Sequence, residues 1–400
     1  MREPAVVTIT TYEHAREAFR QKALRQGLYD EGEVVMADVL VNLHGDEHRA
    51  RRRLENRLFR RDTQERYERD LFPPIVEETL APYVADGRAE LVSLSHQMMM
   101  NLAAFTAGVD RPRGTAEETF HLYSYLMSFI EGATLAHHTG DRTAKRAEVT
   151  VALTAFDEEF LQPSISRRRA LLAEVDAGTR RDDDLPRDVL TVLLRNRDDL
   201  DLAPDVVLRE TCFYLLAGAH TSATAFVRTL QSIFGLAQTS PADARRARDD
   251  AEFLQRCVHE TIRLQPSSPV AVRWALEPMV LDGGTLVEPG DKVVIDLMAA
   301  NRDPSVFGDH ADRFDPHRPL PSGVGPWGLS FGLGMHACIG QHLAAGSDVH
   351  PDGEESHLYG LVPVAVRAFL QAGGRPDPDH PARLDPASAR GYWASYPVVF

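Results

Sequence analysis

Apolar residues recur every three or four positions along most of the first 260 residues, as amphipathic helices require. The spacing predicts helices over 13–20, 48–61, 63–85, 94–107, 116–132 and 145–174, the third of them tolerating Pro73-Pro74. A strand-like start, Val6–Ile9, and a short strand over 89–94 interrupt this series, and 178–186 reads as a charged connection. Residues 205–236, bounded by Pro204 and Pro241, keep an apolar period for roughly 30 residues, about 45 Å at 1.5 Å per residue. The middle of this stretch, Ala217-Gly218-Ala219-His220-Thr221-Ser222, holds poor helix formers. A long buried helix with a weak, polar centre points to a site at its midpoint.

After a further helix through Leu264 the period shortens. Segments 270–275, 279–281, 285–287 and 292–296 read as strands, with turns at Asp282-Gly283-Gly284 and Pro289-Gly290. Pro- and Gly-rich loops follow, up to a helix expected to begin near Cys338. No repeat of solenoid or propeller spacing occurs. The expectation is one α+β domain over 1–400, mainly α with a minor β region.

Composition narrows the function classes. The chain of 400 residues carries 44 Lys+Arg against 59 Asp+Glu, a formal charge of −15, which disfavours nucleic acid or an anionic membrane surface as partner. Residues 212–219 form one of the longest apolar runs, far below the roughly 18 that a spanning helix needs. Three cysteines, Cys212, Cys257 and Cys338, make no disulfide framework and suit a reducing compartment. These features predict a cytoplasmic protein without a membrane anchor.

The sharpest chemical feature is Phe331-Gly332-Leu333-Gly334-Met335-His336-Ala337-Cys338-Ile339-Gly340. Glycines on both sides let the backbone curl around the sulfur, and a helix start behind it favours the thiolate. A thiolate in such an apolar loop can be the axial ligand of a haem iron. A second feature is Glu260-Thr261-Ile262-Arg263, where a carboxylate and a guanidinium three apart share one helical face.

With Asn301-Arg302-Asp303-Pro304 and Arg313-Phe314-Asp315-Pro316-His317-Arg318 following in order, the chain resembles the cytochrome P-450 superfamily over nearly its whole length. The resemblance implies the cytochrome P-450 fold, with the long helix crossing haem b and Cys338 as proximal ligand. It implies a loop shaped by Phe331, Gly332 and Gly340, and a buried structural network of Glu260, Arg263 and Arg318. It further implies that His48, Arg52, Arg273 and His336 hold the haem propionates. Ala217 and Gly218 are implied to face the haem, and Thr221 to serve dioxygen activation through its hydroxyl. His220 stands where the family usually has an acid; an imidazole there could relay protons near neutral pH or face the substrate.

Family topology implies pocket walls from Met36, Val39 and Leu40, from Met127 and Ile130, and from His220. Val270, Val272, Tyr392 and Trp393 complete the set. The implied activity is insertion of one oxygen atom of dioxygen into a small, largely apolar organic molecule. With no Gly-x-Gly-x-x-Gly opening a helix after a strand, electrons would come from separate proteins, a ferredoxin with its reductase or a flavodoxin. Arg49, Arg51, Arg53, Arg57, Arg60 and Arg61 read either as a solvated face or as a basic docking face for an acidic carrier. His220 keeps open a haem-thiolate enzyme of another type (peroxygenase, oxidative coupling or rearrangement), and a non-catalytic helical binding protein is the remaining alternative. Relative to the family the N-terminus is short, and 346–358 reads as a surface loop insertion. Its Asp348, His350, Asp352, Glu354 and His357 look more like a solvated loop than a metal site.

Overall fold

The structure is a computed structural model that describes residues 2–138, 140–281, 283–347, 357–386 and 391–400. Most of the proposed insertion, the acidic and histidine positions 348–354 within it, and Asp282 of the predicted turn lie outside the described residues. Two compact units are formed: Met1–Leu28, Gln64–Met98 and Thr221–Phe400 make one, and Tyr29–Thr63 with Met99–His220 makes the other.

The first unit holds the β structure. A four-stranded sheet has the order Val6–Ile9, Lys292–Asp296, Val270–Ala275, Leu24–Gln26, the first pair parallel and the others antiparallel. The hairpin Met279–Leu281 with Thr285–Val287 has the predicted bounds. Alternation buries Val293 and Ile295 against Ile9, Tyr12, Phe19, Leu297 and Phe307. The helix Ala251–Leu264, capped by Asp250 on the Phe253 amide, carries Glu260 and Arg263 into the interior.

The second unit is helical. The helix Ala116–Ala133 packs on Arg142–Phe156, with Phe129 and Phe156 edge to face at 5.1 Å. Gly132 lets the two approach: a Cβ there would lie 2.7 Å from Val149 and 2.9 Å from Val35. Arg168 is buried between Asp110 and Asp188, with Nη1 at 2.6 Å and Nη2 at 2.7 Å from their carboxylates.

One helix spans Pro204–Thr239, 36 residues and about 54 Å, longer at both ends than the apolar period indicates. Among the described residues no helix is long and apolar enough to cross a membrane.

Several predicted boundaries need correction. The strand over 89–94 is Arg88–Glu90 only, and a helix starts at Leu91. The Glu90 carboxylate accepts the Val92 amide at 3.3 Å and the Tyr396 amide at 2.5 Å, so one side chain ends the strand and opens the helix. The helix over 48–61 is Gly45–Glu55, a 3₁₀ turn at Asn56–Phe59 and a break where Arg60 turns extended. The stretch over 63–85 divides into Arg61–Arg66, a π turn at Tyr67–Leu71 and Phe72–Asp86. Pro73 and Pro74 then fall in a first turn, where their missing N–H groups are not needed. Likewise 145–174 divides around a π turn at Asp157–Leu161, with Pro163 opening Gln162–Asp176.

Candidate active site

In the first unit the Gly-rich loop is built from the backbone outward. Gly332 (φ +63°) and Gly334 (φ +70°) adopt left-handed conformations that glycine takes without penalty. Gly334 also allows close approach, since a Cβ there would lie 2.5 Å from the Phe19 carbonyl oxygen. The loop is closed by the Cys338 amide donating to the Phe331 carbonyl at 2.8 Å and the Gly332 amide donating to Leu329 at 2.8 Å. Trp327 packs edge to face on Phe331 at 5.3 Å.

The helix expected at Cys338 begins later. It spans Gln341–Ala345, and Gly346 (φ +78°) ends it. Its Gly346 position has no room for a Cβ, which would lie 2.3 Å from Gln255 Nε2 and from two carbonyl oxygens. The Cys338 amide is engaged by Phe331, so the hairpin of the loop, more than a five-residue helix, shapes the sulfur's surroundings.

Beneath the loop lies the charge network. Arg263, 0 % exposed, donates Nε and Nη2 to the two Glu260 oxygens at 2.7 Å each. Arg318 Nε adds a third contact at 3.2 Å and the Asp315 amide a fourth at 3.1 Å. Arg263 Nη1 reaches the carbonyls of Asn301 and Ala311. Asn301 then links network to loop, accepting the Leu329 amide at 2.7 Å and donating to Ser330 Oγ at 2.8 Å. Arg273 comes from the next strand, 5 % exposed, with Nη1 on Gln26 Oε1 and its guanidinium over Phe19, the residue touching the loop glycines.

Motif reading missed the residues that fasten the loop's far side. Gln255 Nε2 sits among the carbonyls of Ala345, Ser347, Leu358 and Tyr359 at 3.0–3.2 Å. His357 contacts Gln255 Oε1 at 2.8 Å, and His259 contacts the Ala345 carbonyl at 2.7 Å. The Ser347 amide donates to Leu358, so the chain departs and returns at one place. Among the described residues there is no cluster able to hold a metal ion through three His, Cys, Asp or Glu side chains.

On the long helix, Thr221 is exposed at mid-length although Ser222 and Ala223 beside it are buried. Its carbonyl accepts from Ser267 Oγ at 2.9 Å, and the Ser267 carbonyl accepts from Tyr392 OH at 3.1 Å. Motif reading also missed Ser267. Trp393 packs on Tyr396 at 5.0 Å; Val270 is half-buried and Val272 buried.

The second unit carries the remaining positions. Ala217, Gly218 and His220 are half-buried on the long helix, and a Cβ at Gly218 would lie 3.1 Å from Ala103. His48 and Arg52 occupy one face of Gly45–Glu55. Burial, then the positive charges of Arg52 and His44, pull the His48 pKa down to about 4. Met36, Val39, Leu40 and Ile130 are buried and Met127 half-buried.

These residues fit a haem. Cys338 is the one cysteine of the three that is exposed, where the Gly-rich loop closes on Phe331, while Cys212 and Cys257 are buried with pKa values raised by burial. An exposed sulfur in apolar surroundings, a buried guanidinium behind the loop and an uncovered threonine in mid-helix are the donor set such a group requires.

Comparison with known proteins agrees. The family model described as Cytochrome P450 matches residues 242–346. Cytochrome P450 126 of Mycobacterium tuberculosis is 38 % identical over 135 residues, 33 % of this chain and 30 % of that protein. Nocardicin C N-oxygenase of Nocardia uniformis is 32 % identical over 208 residues, 51 % of this chain and 46 % of that one. The chain thus spans less than half the length of these curated relatives. The crystal structure of P450BioI in complex with hexadec-9Z-enoic acid ligated acyl carrier protein superposes with a TM-score of 0.74 at 21 % identity, covering 98 % of this chain and 92 % of that one. The chain thus has the fold of a cytochrome P450 over nearly its full length, and residues 242–346, which hold both the Glu-Arg motif and the cysteine loop, match the model of the cytochrome P450 family, whose cofactor is a haem held by a cysteine thiolate.

Proposed function

We propose that residues 1–400 act as one haem-thiolate monooxygenase domain, oxidising a small, largely apolar organic substrate with dioxygen and electrons from a ferredoxin or flavodoxin in the cytoplasm. The observation that carries this reading is the exposed Cys338 in a Gly-rich loop whose entry at Leu329 is fixed by the Glu260–Arg263–Asn301 network. Haem b supplies the oxidising chemistry when bound. The chain's own contributions can be derived.

Cys338 supplies the sulfur ligand, and Phe331, Gly332, His336 and Gly340 shape the loop around it. Arg273 and His336, with His48 and Arg52, are the cations for the two propionates. His48 would gain a proton beside a carboxylate, because a neighbouring negative charge opposes the burial and the cations that hold it neutral. The Thr221 hydroxyl offers a hydrogen bond at mid-helix, while Ser267 holds that residue's carbonyl. His220, adjacent to it, can hold or pass a proton. The apolar Met36, Val39, Leu40, Ile130 and Val272 side chains would exclude water from the substrate.

The test is spectroscopic. Reduced protein with carbon monoxide should show the strongly red-shifted Soret band of thiolate ligation, and Cys338→Ser should lose it. A band typical of nitrogen ligation, or unchanged absorption in Cys338→Ser, overturns the reading. His220 supports a second reading, oxidation driven by peroxide or ending in coupling or rearrangement. Product formed with peroxide but absent with reductant and dioxygen would establish it.

A further inference from the structure

The second unit contains a buried charged cluster around Arg51, which is 4 % exposed and so is no part of the expected basic docking face, because it turns inward to pair with Glu210. Glu210, on the long helix, is 0 % exposed. Its two oxygens accept the Leu40 amide at 3.1 and 3.0 Å, and Oε2 also accepts Arg51 Nη1 at 2.8 Å. The same Arg51 nitrogen donates to the Asp38 carbonyl at 2.7 Å. One residue earlier on the long helix, Arg209 donates Nε to the Ala37 carbonyl at 2.7 Å and Nη2 to Asp38 Oδ2 at 3.2 Å. Asn42 Nδ2 holds the Met36 carbonyl at 2.8 Å. Every residue from Met36 to Leu40 except Val39 is therefore held through its backbone by a polar side chain.

The held segment is strained. Asp38 has φ +57°, a left-handed conformation rare for a residue other than glycine. Such conformations persist where their surroundings over-determine them, and they gather at ligand-binding places. The means of holding is also costly. Glu55 is fully buried near Glu210 and accepts Tyr214 OH at 2.5 Å. Two carboxyl groups thus lie near each other in the interior while the buried Arg51 bonds Glu210; burial and the Glu210 charge push the Glu55 pKa well up. Burial raises Glu210 as well, opposed by Arg51 and the Leu40 amide. Apolar side chains would close this interior at no such desolvation cost, so stability alone does not account for the cluster. What the charges supply is fixed geometry: a carboxylate and a guanidinium each bonded to a defined backbone atom.

We propose that Glu210 and Arg51 are positioning residues that set ligand selectivity, by clamping the segment Met36–Leu40 against the helices Gly45–Glu55 and Pro204–Thr239. Resting on the monooxygenase reading, in which this segment is a pocket wall, the clamp decides how large an apolar ligand the wall admits. Glu210 precedes Ala217 by seven residues, two turns on the same helix, so the clamp and an expected haem-facing position share one face.

The test uses the full haem-loaded chain, with imidazole and 4-phenylimidazole as small and large iron-binding probes read by Soret shift. In Glu210→Gln one acceptor and the charge are lost. The ratio of the two dissociation constants should change tenfold or more, with the carbon monoxide band intact. Exchange of the Leu40 amide should speed tenfold or more. Arg51→Lys, which keeps the charge on a shorter side chain that does not reach both Glu210 and the Asp38 carbonyl, should give intermediate values for both and supplies the answer if Glu210→Gln fails to fold. A probe ratio within twofold of wild type in a variant whose Leu40 amide is deprotected overturns the selectivity role. Unchanged Leu40 exchange overturns the clamp. Absence of the thiolate band from the wild-type protein would instead count against the monooxygenase reading, and Leu40 exchange would still judge the clamp.

Discussion

Removing the Glu260 carboxylate is the perturbation whose size the structure defines best. Both oxygens are bonded to Arg263 at 2.7 Å, and both side chains are at most 5 % exposed. Glu260→Ala would leave a fully buried guanidinium with its charge uncompensated and strip a partner from Arg318 and from the Asp315 amide. Breaking one side of such a buried pair costs roughly 3–5 kcal/mol. That is a factor of about 160 to 5,000 in the unfolding equilibrium at 1.36 kcal/mol per tenfold. With an m-value of about 3 kcal/mol/M, the urea midpoint of the transition reporting on the cysteine loop should fall by about 1 to 1.7 M. Replacing both partners, as in Glu260→Leu/Arg263→Met, removes the charge stranded at position 263 and should recover part of the loss, with the Arg318 and Asp315 contacts still broken. The assay is urea unfolding of wild type, Glu260→Leu, Arg263→Met and the double variant, followed by the Soret band and far-ultraviolet circular dichroism. A coupling energy below about 1 kcal/mol would refute the claim that the two act as one buried unit.

Three further outcomes are expected. Gly334→Ala places a methyl group 2.5 Å from the Phe19 carbonyl oxygen at φ +70°, so the loop must shift; haem retained per chain should fall and stability drop by about 1–3 kcal/mol, checked by pigment content and thermal melting. In haem-free protein His48 titrates at about 4 rather than 6.5, so its contribution is complete above pH 6.5 and is lost as pH falls toward 4. A His48→Gln variant should flatten stability between those values, and haem loading should raise the His48 titration seen by nuclear magnetic resonance; an unmoved titration would argue against a propionate there. Ser267→Ala removes the hydroxyl that holds the Thr221 carbonyl and should change melting little, within about 1 kcal/mol, yet lower product formed per electron consumed; unchanged coupling would leave Ser267 no role at the distal site.

The sequence by itself determined what local spacing can encode. Four strands from Val270 to Asp296 appear with the bounds that alternation and Gly turns indicate, because period 2 and turn chemistry are properties of neighbouring residues. Glu260 and Arg263 were legible as a pair because three residues on a helix share a face. The loop around Cys338 was legible because its glycines are needed by its own backbone. Tertiary structure decided the rest. Arg88–Glu90 ends as a strand because Pro397–Val399, more than 300 residues away, lies beside it. Gln255, Ser267 and Glu210 looked like ordinary polar positions on helices and loops. Each acts by bonding a backbone atom of a distant segment, and a contact made once, by one residue, leaves no period in the chain to read.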